Sequence, residues 1–504
     1  MRRVGAVVFA ALALPPVAFA HYERPVAFPD HLKGAVPPYR ATGPSLVVCK
    51  PDSRARIAKL PAAARRRNAA LLPRCGYQHV QAAVQAAQAG TRILVLPGVY
   101  REEPSRAAPS DDGRCSSLRV SAFAAPQVLV GSYEYQLTCP NAENLVAIVG
   151  KRDIQIEGTG DDPSDVLFDG DRRKLNVIRA DRADGVVLRN FTVQYSDFNN
   201  VYLLETNGFR VANVVSRWSR EYGFLSFVSD NGLLTDLVAY GNGDAGVYPG
   251  AGPQAHCERY GIEIRRVNSY GNTLGYSGTS GDGIWVHDSR FHHNATGLSM
   301  DSAFNGHPGM PQDCSKFERN RIYSNNADIF STQRDGYCKR PVLQRDPRIV
   351  CPTILVPVGT GLLIAGGNGN TIEGNWFYDN WRHGAMLFWV PAFIRGENDP
   401  ALHYDTSHGN RFAGNRMGRS PGGLRAPNGL DFWWDEEGRA NCWERNGTVR
   451  SNPVALPSCL VPREFQPPRP EKFTQLVACA NWNAQTNTDP VGCNWPTRPR
   501  RPRD

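Results

Sequence analysis

The stretch that decides the fold reads Asp184-Gly-Val-Val-Leu-Arg-Asn-Phe-Thr-Val, then Asn207-Gly-Phe-Arg-Val-Ala-Asn-Val-Val, then Asn231-Gly-Leu-Leu-Thr-Asp-Leu-Val. Each copy opens with Asn or Asp before Gly, a pair that tolerates left-handed turns, and continues as a short apolar strand. The copies start 23 and 24 residues apart, a fixed period in the range of solenoid repeats. Propeller blades need roughly 40 residues and leucine-rich repeats need regular leucines, so the period predicts a β-helix.

The pattern returns further along the chain, in copies that begin at Tyr260, Asp282, Asn368 and His408. Each copy again places a Gly second and follows it with alternating apolar residues. The repeated part therefore extends to about residue 417.

A helix is predicted immediately before the repeats. Val80, Ala83 and Val84 recur at helical spacing, Gly90 ends the pattern, and the apolar run 93–96 that follows is typical of a buried strand. A solenoid needs a cap of this kind because its first rung would otherwise expose its core. The sequence therefore predicts an N-terminal capping helix.

These segments resemble the right-handed parallel β-helix repeat proteins, the pectate-lyase-like superfamily. Residues 77–100 are similar to the opening of such proteins and residues 180–417 to their repeats. The resemblance implies an all-β fold, a right-handed parallel β-helix. The class includes lyases, hydrolases, epimerases, phage adhesins and periplasmic accessory proteins, so the resemblance implies a fold and not one activity.

The two ends of the chain differ from the repeats. Residues 1–20 have a basic head, an apolar core and an Ala-Phe-Ala exit, which are typical of a cleavable secretory signal. The 12 cysteines contain no Cys-x-x-Cys and predict disulfides formed in an oxidising compartment. We expect a signal peptide at 1–20, an extended segment at 21–76, the β-helix with loop insertions at 77–417, and a Cys-, Trp- and Pro-rich irregular C-terminal cap with a basic tail at 418–504. The expected location is secreted, extracellular or at the cell surface.

The formal net charge of +9 is concentrated at the ends, in the signal and in the basic tail near Arg498 and Arg503. The body of the chain is nearly balanced, so no nucleic-acid partner is expected. No later segment is long and apolar enough to cross a bilayer, so no membrane span is expected. Arginine far outnumbers lysine, which is typical of a GC-rich bacterial genome. We expect a monomer.

Insertions indicate which face carries the function. Compared with the basic repeat, the chain is longer at about 249–259, 303–315, 332–353 and 389–407, and each insertion is predicted to follow the second strand of its rung. Insertions at one phase of a solenoid stack on one face, which is often the binding face. Disulfides among the four cysteines of these loops would hold the wall they form.

Alternation along each strand then selects the side chains beneath that wall. Because Ile284 and Val286 are predicted to face the core, Trp285 and His287 should face outward. The predicted catalytic residues are His287, Glu263, Arg265 and Asp301, and the predicted substrate-binding residues are Trp285, Tyr248, His256 and Glu258.

These residue types suit carbohydrate chemistry. Aromatic faces suit sugar rings, arginine suits uronate carboxylates, and a base beside a cation suits proton removal next to a carboxylate. The predicted function is a secreted protein acting on extracellular polysaccharide as a lyase, epimerase or hydrolase. The alternative is a non-catalytic carbohydrate-binding or structural β-helix, because the polygalacturonase and alginate-epimerase signatures are missing. No ligand spacing predicts a metal site, and a Ca²⁺ cofactor has no motif to support it.

Overall fold

The computed structural model describes residues 22–101, 113–123, 125–404, 406–461, 469–479 and 490–503. The predicted secretory signal, residues 1–20, lies outside the described residues. The described chain winds through successive rungs, and most rungs contribute strands to three stacked parallel ladders.

In the first ladder, the inward-facing side chains of successive strands lie above one another in one row and face the core. It consists of β2 (Cys75–Tyr77), β1 (Ser45–Val48), β3 (Arg92–Val95), β8 (Gln155–Gly158), β11 (Val186–Gln194), β13 (Asn207–Arg217), β15 (Asp230–Thr235), β18 (Ile262–Arg265), β21 (Ile284–His287), β24 (Lys316–Glu318), β27 (Thr371–Glu373), β30 (Arg411–Ala413) and β33 (Cys442–Glu444).

The second ladder shares β11 and β13, whose later residues turn onto it. Its other strands are β4 (Gly98–Tyr100), β9 (Val166–Asp169), β16 (Val238–Tyr240), β19 (Asn268–Tyr270), β22 (Arg290–His292), β25 (Arg321–Tyr323), β28 (Trp376–Tyr378) and β31 (Arg416–Met417).

The third ladder is an 11-stranded parallel sheet. It consists of β7 (Asn144–Val149), β10 (Asn176–Asp181), β12 (Asn199–Leu204), β14 (Tyr222–Phe227), β17 (Ala245–Gly250), β20 (Leu274–Thr279), β23 (Thr296–Asp301), β26 (Thr360–Ala365), β29 (His383–Phe388), β32 (Leu430–Trp434) and β34 (Ser451–Asn452). A separate antiparallel hairpin joins β5 (Arg119–Ala122) to β6 (Ala125–Gly131).

Short helices lie between and beside the ladders. The α-helices are α1 (Ser53–Ile57), α2 (Ala62–Leu71), α3 (Val80–Ala86), α4 (Gly113–Ser116), α5 (Tyr133–Thr138), α6 (Pro140–Glu143), α7 (Ser331–Arg334) and α8 (Pro470–Cys479). The 3-10 helices are His31–Lys33, Leu72–Arg74, Pro163–Asp165, Tyr337–Lys339, Val342–Gln344 and Pro400–Leu402.

The stacked strands enclose one elongated apolar core. Ile262, Ile284, Val286 and Phe291 are among its buried side chains, in agreement with the alternation read from the sequence. The corner between the first and second ladders is turned by a single residue with positive φ in many rungs. Asp288, with φ 50°, does so directly after His287. These pairings define a parallel β-helix, which confirms the predicted fold.

Two boundaries differ from those predicted. The segment 21–76, expected to be extended, contains α1, α2 and a strand, β1, that pairs with β3, so the first ladder begins before residue 77. The repeats also continue past residue 417, because β32, β33 and β34 extend the ladders and Trp434 and Trp443 enter the core. Of these strands, β32 directly follows an Asn428-Gly429 pair, the opening that marks earlier copies, whereas β33 and β34 do not directly follow such a pair.

The helix predicted near residue 80 is present as α3, with Val80, Ala83 and Val84 in the core. It ends at Ala86, ahead of the expected stop at Gly90. Its role as a cap stays a prediction, because β1 and β2 lie beyond β3 on the same ladder.

The rungs have three strands where the sequence suggested two. β11 and β13 continue through the corner between the first and second ladders. In the sequence, the strand segments of these two ladders therefore look like a single strand. The insertions at 249–259, 303–315 and 389–407 follow third-ladder strands, but 332–353 lies between β25 and β26, at a different corner. The prediction that all four share one position was therefore wrong.

The outer side of the third ladder is covered along much of its length. Tyr202, Leu225 and Tyr248 belong to a second apolar cluster, which also contains residues on either side of the insertion at 332–353: Phe330, Val356 and Val358. Trp433 belongs to a third cluster, packed against Trp495. The outward side chains of the later first-ladder rungs remain largely half-exposed. The loops therefore cover the outer face of the third ladder, and the outer face of the first ladder is more accessible to solvent.

Candidate functional site

Three neighbouring strands of the first ladder, β18, β21 and β24, place two columns of polar side chains on its outer face. Glu263, Trp285 and Lys316 are direct neighbours in one column. Arg265, His287 and Glu318 are direct neighbours in the next. The outward placement of Glu263, Arg265, Trp285 and His287 follows from alternation, because their strand neighbours Ile264 and Val286 fill the core.

His287 lies at the centre of this group. Its Nδ1 is 2.6 Å from Asp288 Oδ2 and its Nε2 is 3.1 Å from Glu263 Oε1. Its ring stacks on Trp285 with centroids 4.2 Å apart, and only 6% of the residue is exposed. Both ring nitrogens face carboxylate acceptors, an arrangement that the imidazolium satisfies with two donated hydrogen bonds.

Cations surround the same carboxylates. Arg265 Nη1 lies 2.7 Å from Glu263 Oε1, and Arg319 Nη2 lies 3.0 Å from Asp288 Oδ2. The hydrogen bond from Arg319 lowers the pKa of Asp288 more than burial raises it. Glu263 and Asp288 therefore each contact both His287 and an arginine.

Glu318 closes the group on its far side. It accepts hydrogen bonds from Lys316 Nζ at 2.6 Å, from Arg319 Nη1 at 2.6 Å and from Trp285 Nε1 at 3.2 Å. Burial acts to raise the pKa of Glu318, but the hydrogen bonds from Lys316 and Arg319 outweigh it and lower the pKa. We call this set of eight residues the first-ladder cluster: Glu263, Arg265, Trp285, His287, Asp288, Lys316, Glu318 and Arg319.

Tyr248 and Asp301 are not part of this cluster. Both lie on the third ladder, where Tyr248 is 2% exposed and Asp301 5% exposed. Tyr248 Oη is 3.3 Å from His307 Nε2, and Asp301 Oδ2 accepts a hydrogen bond of 2.8 Å from Thr279. Burial raises the pKa of Asp301 to about 6. The predicted site residues therefore divide between two ladders.

His256 and Glu258 are exposed residues of the loop at 249–259. This loop is bound to its neighbour by the Cys257–Cys314 disulfide, and the backbone of His256 donates to Asp282 Oδ2 at 3.3 Å. No hydrogen bond joins either predicted side chain to the first-ladder cluster within the part of the chain that the structure describes. The bridge between two insertions was expected; the partner of each cysteine could not be read from the sequence.

Sequence reasoning missed three members of the surroundings of His287. Lys316 and Arg319 supply the cations described above, and the exposed ring of Tyr260 lies 5.9 Å from the ring of Trp285. Tyr260 directly precedes Gly261 of its repeat, a position that could have indicated a residue at the edge of the same face.

The described residues contain no group of three or more His, Cys, Asp or Glu side chains arranged to hold a metal ion. The paired His292 and His293 contact each other through their Nδ1 atoms at 2.7 Å. Burial lowers the pKa of His292 to about 4, and no carboxylate joins the pair among the described residues. None of the described helices is long and apolar enough to cross a membrane.

Fold and site together define a parallel β-helix with an ionic and aromatic cluster on its more open face. No model of a known protein family matches the sequence, and no curated protein matches it.

Solved structures of similar topology include the A-module of the Azotobacter vinelandii mannuronan C-5 epimerase AlgE4, at 12% identity and a TM-score of 0.41, covering 72% of this chain and 89% of that one. ORF18 of Geobacillus virus E2 has 12% identity and a TM-score of 0.40, covering 72% of this chain and 57% of that one. Pectate lyase Pel9A has 12% identity and a TM-score of 0.33, covering 82% and 77%. These are similarities of fold, and the β-helix is defined by this chain's own strand pairing.

Proposed function

We propose that this protein is secreted and acts on an extracellular polysaccharide that it holds against the first-ladder cluster. The observation that carries the proposal is the stacked Trp285–His287 pair, set among three carboxylates and three cations on the more open face. Six disulfides support an oxidising compartment, since such bonds persist outside the cytosol.

The contacts suggest how a charged sugar would engage the cluster. A uronate carboxylate matches the fork of an arginine and could take Arg265 from Glu263 or Arg319 from Asp288. The released carboxylate stays within hydrogen-bond distance of the His287 ring, which would then be the group that transfers a proton to or from the sugar. β-Elimination and epimerisation share the removal of a proton beside the uronate carboxylate, which His287 would carry out, whereas hydrolysis would use two carboxyl groups of the cluster as acid and base.

The test is a panel of acidic and neutral polysaccharides, read by ultraviolet absorbance for unsaturated products and by reducing ends for hydrolysis. Epimerisation is read by proton NMR of the polymer. We expect His287→Gln to reduce turnover by roughly 10²-fold or more, the usual contribution of a proton-transferring residue. The matched control is His293→Gln, an exposed histidine outside the cluster, which should retain full turnover.

A second candidate function is polysaccharide binding without catalysis. It is favoured by one observation: Glu263, Asp288 and Glu318 already have cationic partners inside the cluster. In that case no polymer on the panel is converted, while binding is lost in Trp285→Ala. Turnover that His287→Gln leaves unchanged would contradict the catalytic proposal at this site.

A further inference from the structure

A cavity of about 390 Å³ lies over the early rungs of the third ladder, apart from the first-ladder cluster. Its floor includes Arg179, Tyr202 and Glu221, which belong to β10, β12 and the residue before β14. The hairpin strand β6 and the N-terminal Tyr22 form its walls. The volume is in the range of small-molecule sites.

Part of the floor is an internally bonded scaffold. Arg179 Nη2 is 2.9 Å from Asp181 Oδ2 and 3.5 Å from Glu23 Oε1, and its guanidinium lies 4.9 Å from the ring centre of Tyr202. Tyr202 in turn donates a hydrogen bond of 2.7 Å to Glu23. These contacts fix the positions of the side chains that a ligand in the cavity would contact.

Two further charged pairs line the cavity. Arg119 lies 2.9 Å from Glu143, and Arg220 lies 3.5 Å from Asp197. With these charges matched, the lining offers no excess of either sign to a ligand. A neutral ligand fits such a lining better than an ion does.

Glu221 differs from the other acids of the cavity. It is 7% exposed, and its buried Oε2 has no hydrogen-bond partner among the described residues. Burial, together with the nearby carboxyls of Asp244 and Asp197, raises its pKa well above the usual range, although Arg220 opposes the shift. The protonated acid carries one donor and one acceptor, which is the pair of groups a ligand hydroxyl needs.

The mouth of the cavity is apolar and partly exposed. Tyr22 is 38% exposed and Leu129 is 61% exposed, and Phe198 also lines the cavity. Large apolar side chains at the rim of a polar cavity suit a ligand with both C–H faces and hydroxyl groups.

We propose that this cavity binds a neutral sugar unit, with Glu221 as the group that recognises a sugar hydroxyl. The site is separate from the first-ladder cluster and does not depend on the function proposed for it. A polysaccharide could then bind the third ladder through one sugar unit, while its other units contact other surfaces of the protein.

The experiment titrates the purified protein with methyl β-glucoside, methyl β-galactoside and methyl α-mannoside up to ~10 mM, by saturation-transfer NMR and calorimetry. Galacturonate and glucosamine serve as charged probes. We expect at least one neutral glycoside to bind. Because galacturonate also suits the arginines of the first-ladder cluster, binding at the cavity is taken as the part that Glu221→Leu removes, and for the charged probes this part should be weaker. Glu221→Leu should weaken binding at least ~10-fold, whereas Glu221→Gln, which keeps a donor and an acceptor, should stay within ~3-fold of the parent.

The matched control is Glu134→Leu, an exposed glutamate on the neighbouring helix α5 that does not line the cavity, and its binding should equal that of the parent protein. Tyr22→Ala provides a second variant with the floor intact and should also weaken binding. The proposal is overturned if no neutral probe binds, if the charged probes show the tighter Glu221-dependent binding, or if Glu221→Leu binds neutral glycosides as well as the parent. His287→Gln should leave glycoside binding unchanged, so failure here and failure at the first-ladder cluster are distinguishable.

Discussion

Asp244 is a carboxyl that the fold removes from water. It is 1% exposed, its Oδ1 has no hydrogen-bond partner among the described residues, and Thr353 donates to its Oδ2 at 3.2 Å. Burial raises its pKa from 3.8 to about 7. Because the folded state binds this proton more tightly than the unfolded chain does, the stability it contributes is complete below about pH 4 and is lost as the pH rises through about 7.

We therefore expect Asp244→Asn to be more stable than the parent protein at pH 7.5, on the order of a few kcal/mol, and to show little difference at pH 4. Urea denaturation at pH 4, 5.5 and 7.5 measures the difference. The control is Asp346→Asn, a partly exposed aspartate whose pKa Arg348 lowers to about 2, so that its contribution changes little over this range. A difference for Asp244→Asn that does not grow with pH would contradict the assignment.

At the scale of the elements, stacked side chains hold successive rungs in register. Buried asparagines at the corner before the third ladder form one such column, in which Asn294 donates to Asn325 Oδ1 at 3.0 Å and Asn325 donates to Asn380 Oδ1 at 3.1 Å. The column therefore joins the same turn of successive rungs.

Asn325→Ala should lower the stability of the rungs by about 2–4 kcal/mol, because it removes the Oδ1 that accepts from the backbone and side chain of Asn294 and the amide that donates to the Phe291 carbonyl. The shift of the urea midpoint at constant slope measures this loss. Asn398→Ala, at an exposed loop position, should shift the midpoint very little. Equal midpoints for the two variants would show that the column does not stabilise the fold.

An aromatic column on the second ladder was not predicted from the sequence. Tyr240, Tyr270, His292, Tyr323 and Tyr378 stack ring on ring, with centroids 4.8–5.3 Å apart. Each ring occupies the residue two before an asparagine, as in Tyr240-Gly-Asn and Tyr323-Ser-Asn, so the signal was present. Their faces are used within the stack, which favours a stabilising role along the solenoid axis.

At the scale of the whole molecule, six disulfides tie loops and termini to the β-helix. All 12 cysteines belong to the described residues and all are paired, so the denatured, unreduced protein should contain no thiol that reacts with a chromogenic disulfide reagent. Reduction should expose all 12. A reactive thiol before reduction would contradict the pairing.

The Cys257–Cys314 bridge joins the loops at 249–259 and 303–315. We expect the double variant Cys257→Ser/Cys314→Ser to exchange amide hydrogens faster in these two loops, with the strands of the core unchanged, because the bridge restricts the loops more than the rungs. The control is Cys479→Ser/Cys493→Ser, which removes a bridge near the C-terminus. Equal loop exchange in both variants would show that the bridge does not order the wall.

The sequence by itself determined the β-helix, the core alternation and the outward columns of Glu263 with Trp285 and Arg265 with His287. These follow from a 23-residue period and from alternation along single strands, which are local properties of the chain. The same local reading gave Lys316 and Arg319 no role, because their positions beside Trp285 and Asp288 depend on the pairing of β24 with β21.

Only the tertiary structure decided that Tyr248 and Asp301 lie on the third ladder, away from His287. It also decided that the insertions cover that ladder, and that Glu221 lies beside a cavity. The physical reason is that the direction in which a loop folds depends on apolar contacts between segments far apart in the chain. Such contacts leave no period in the sequence, whereas a strand's alternation does.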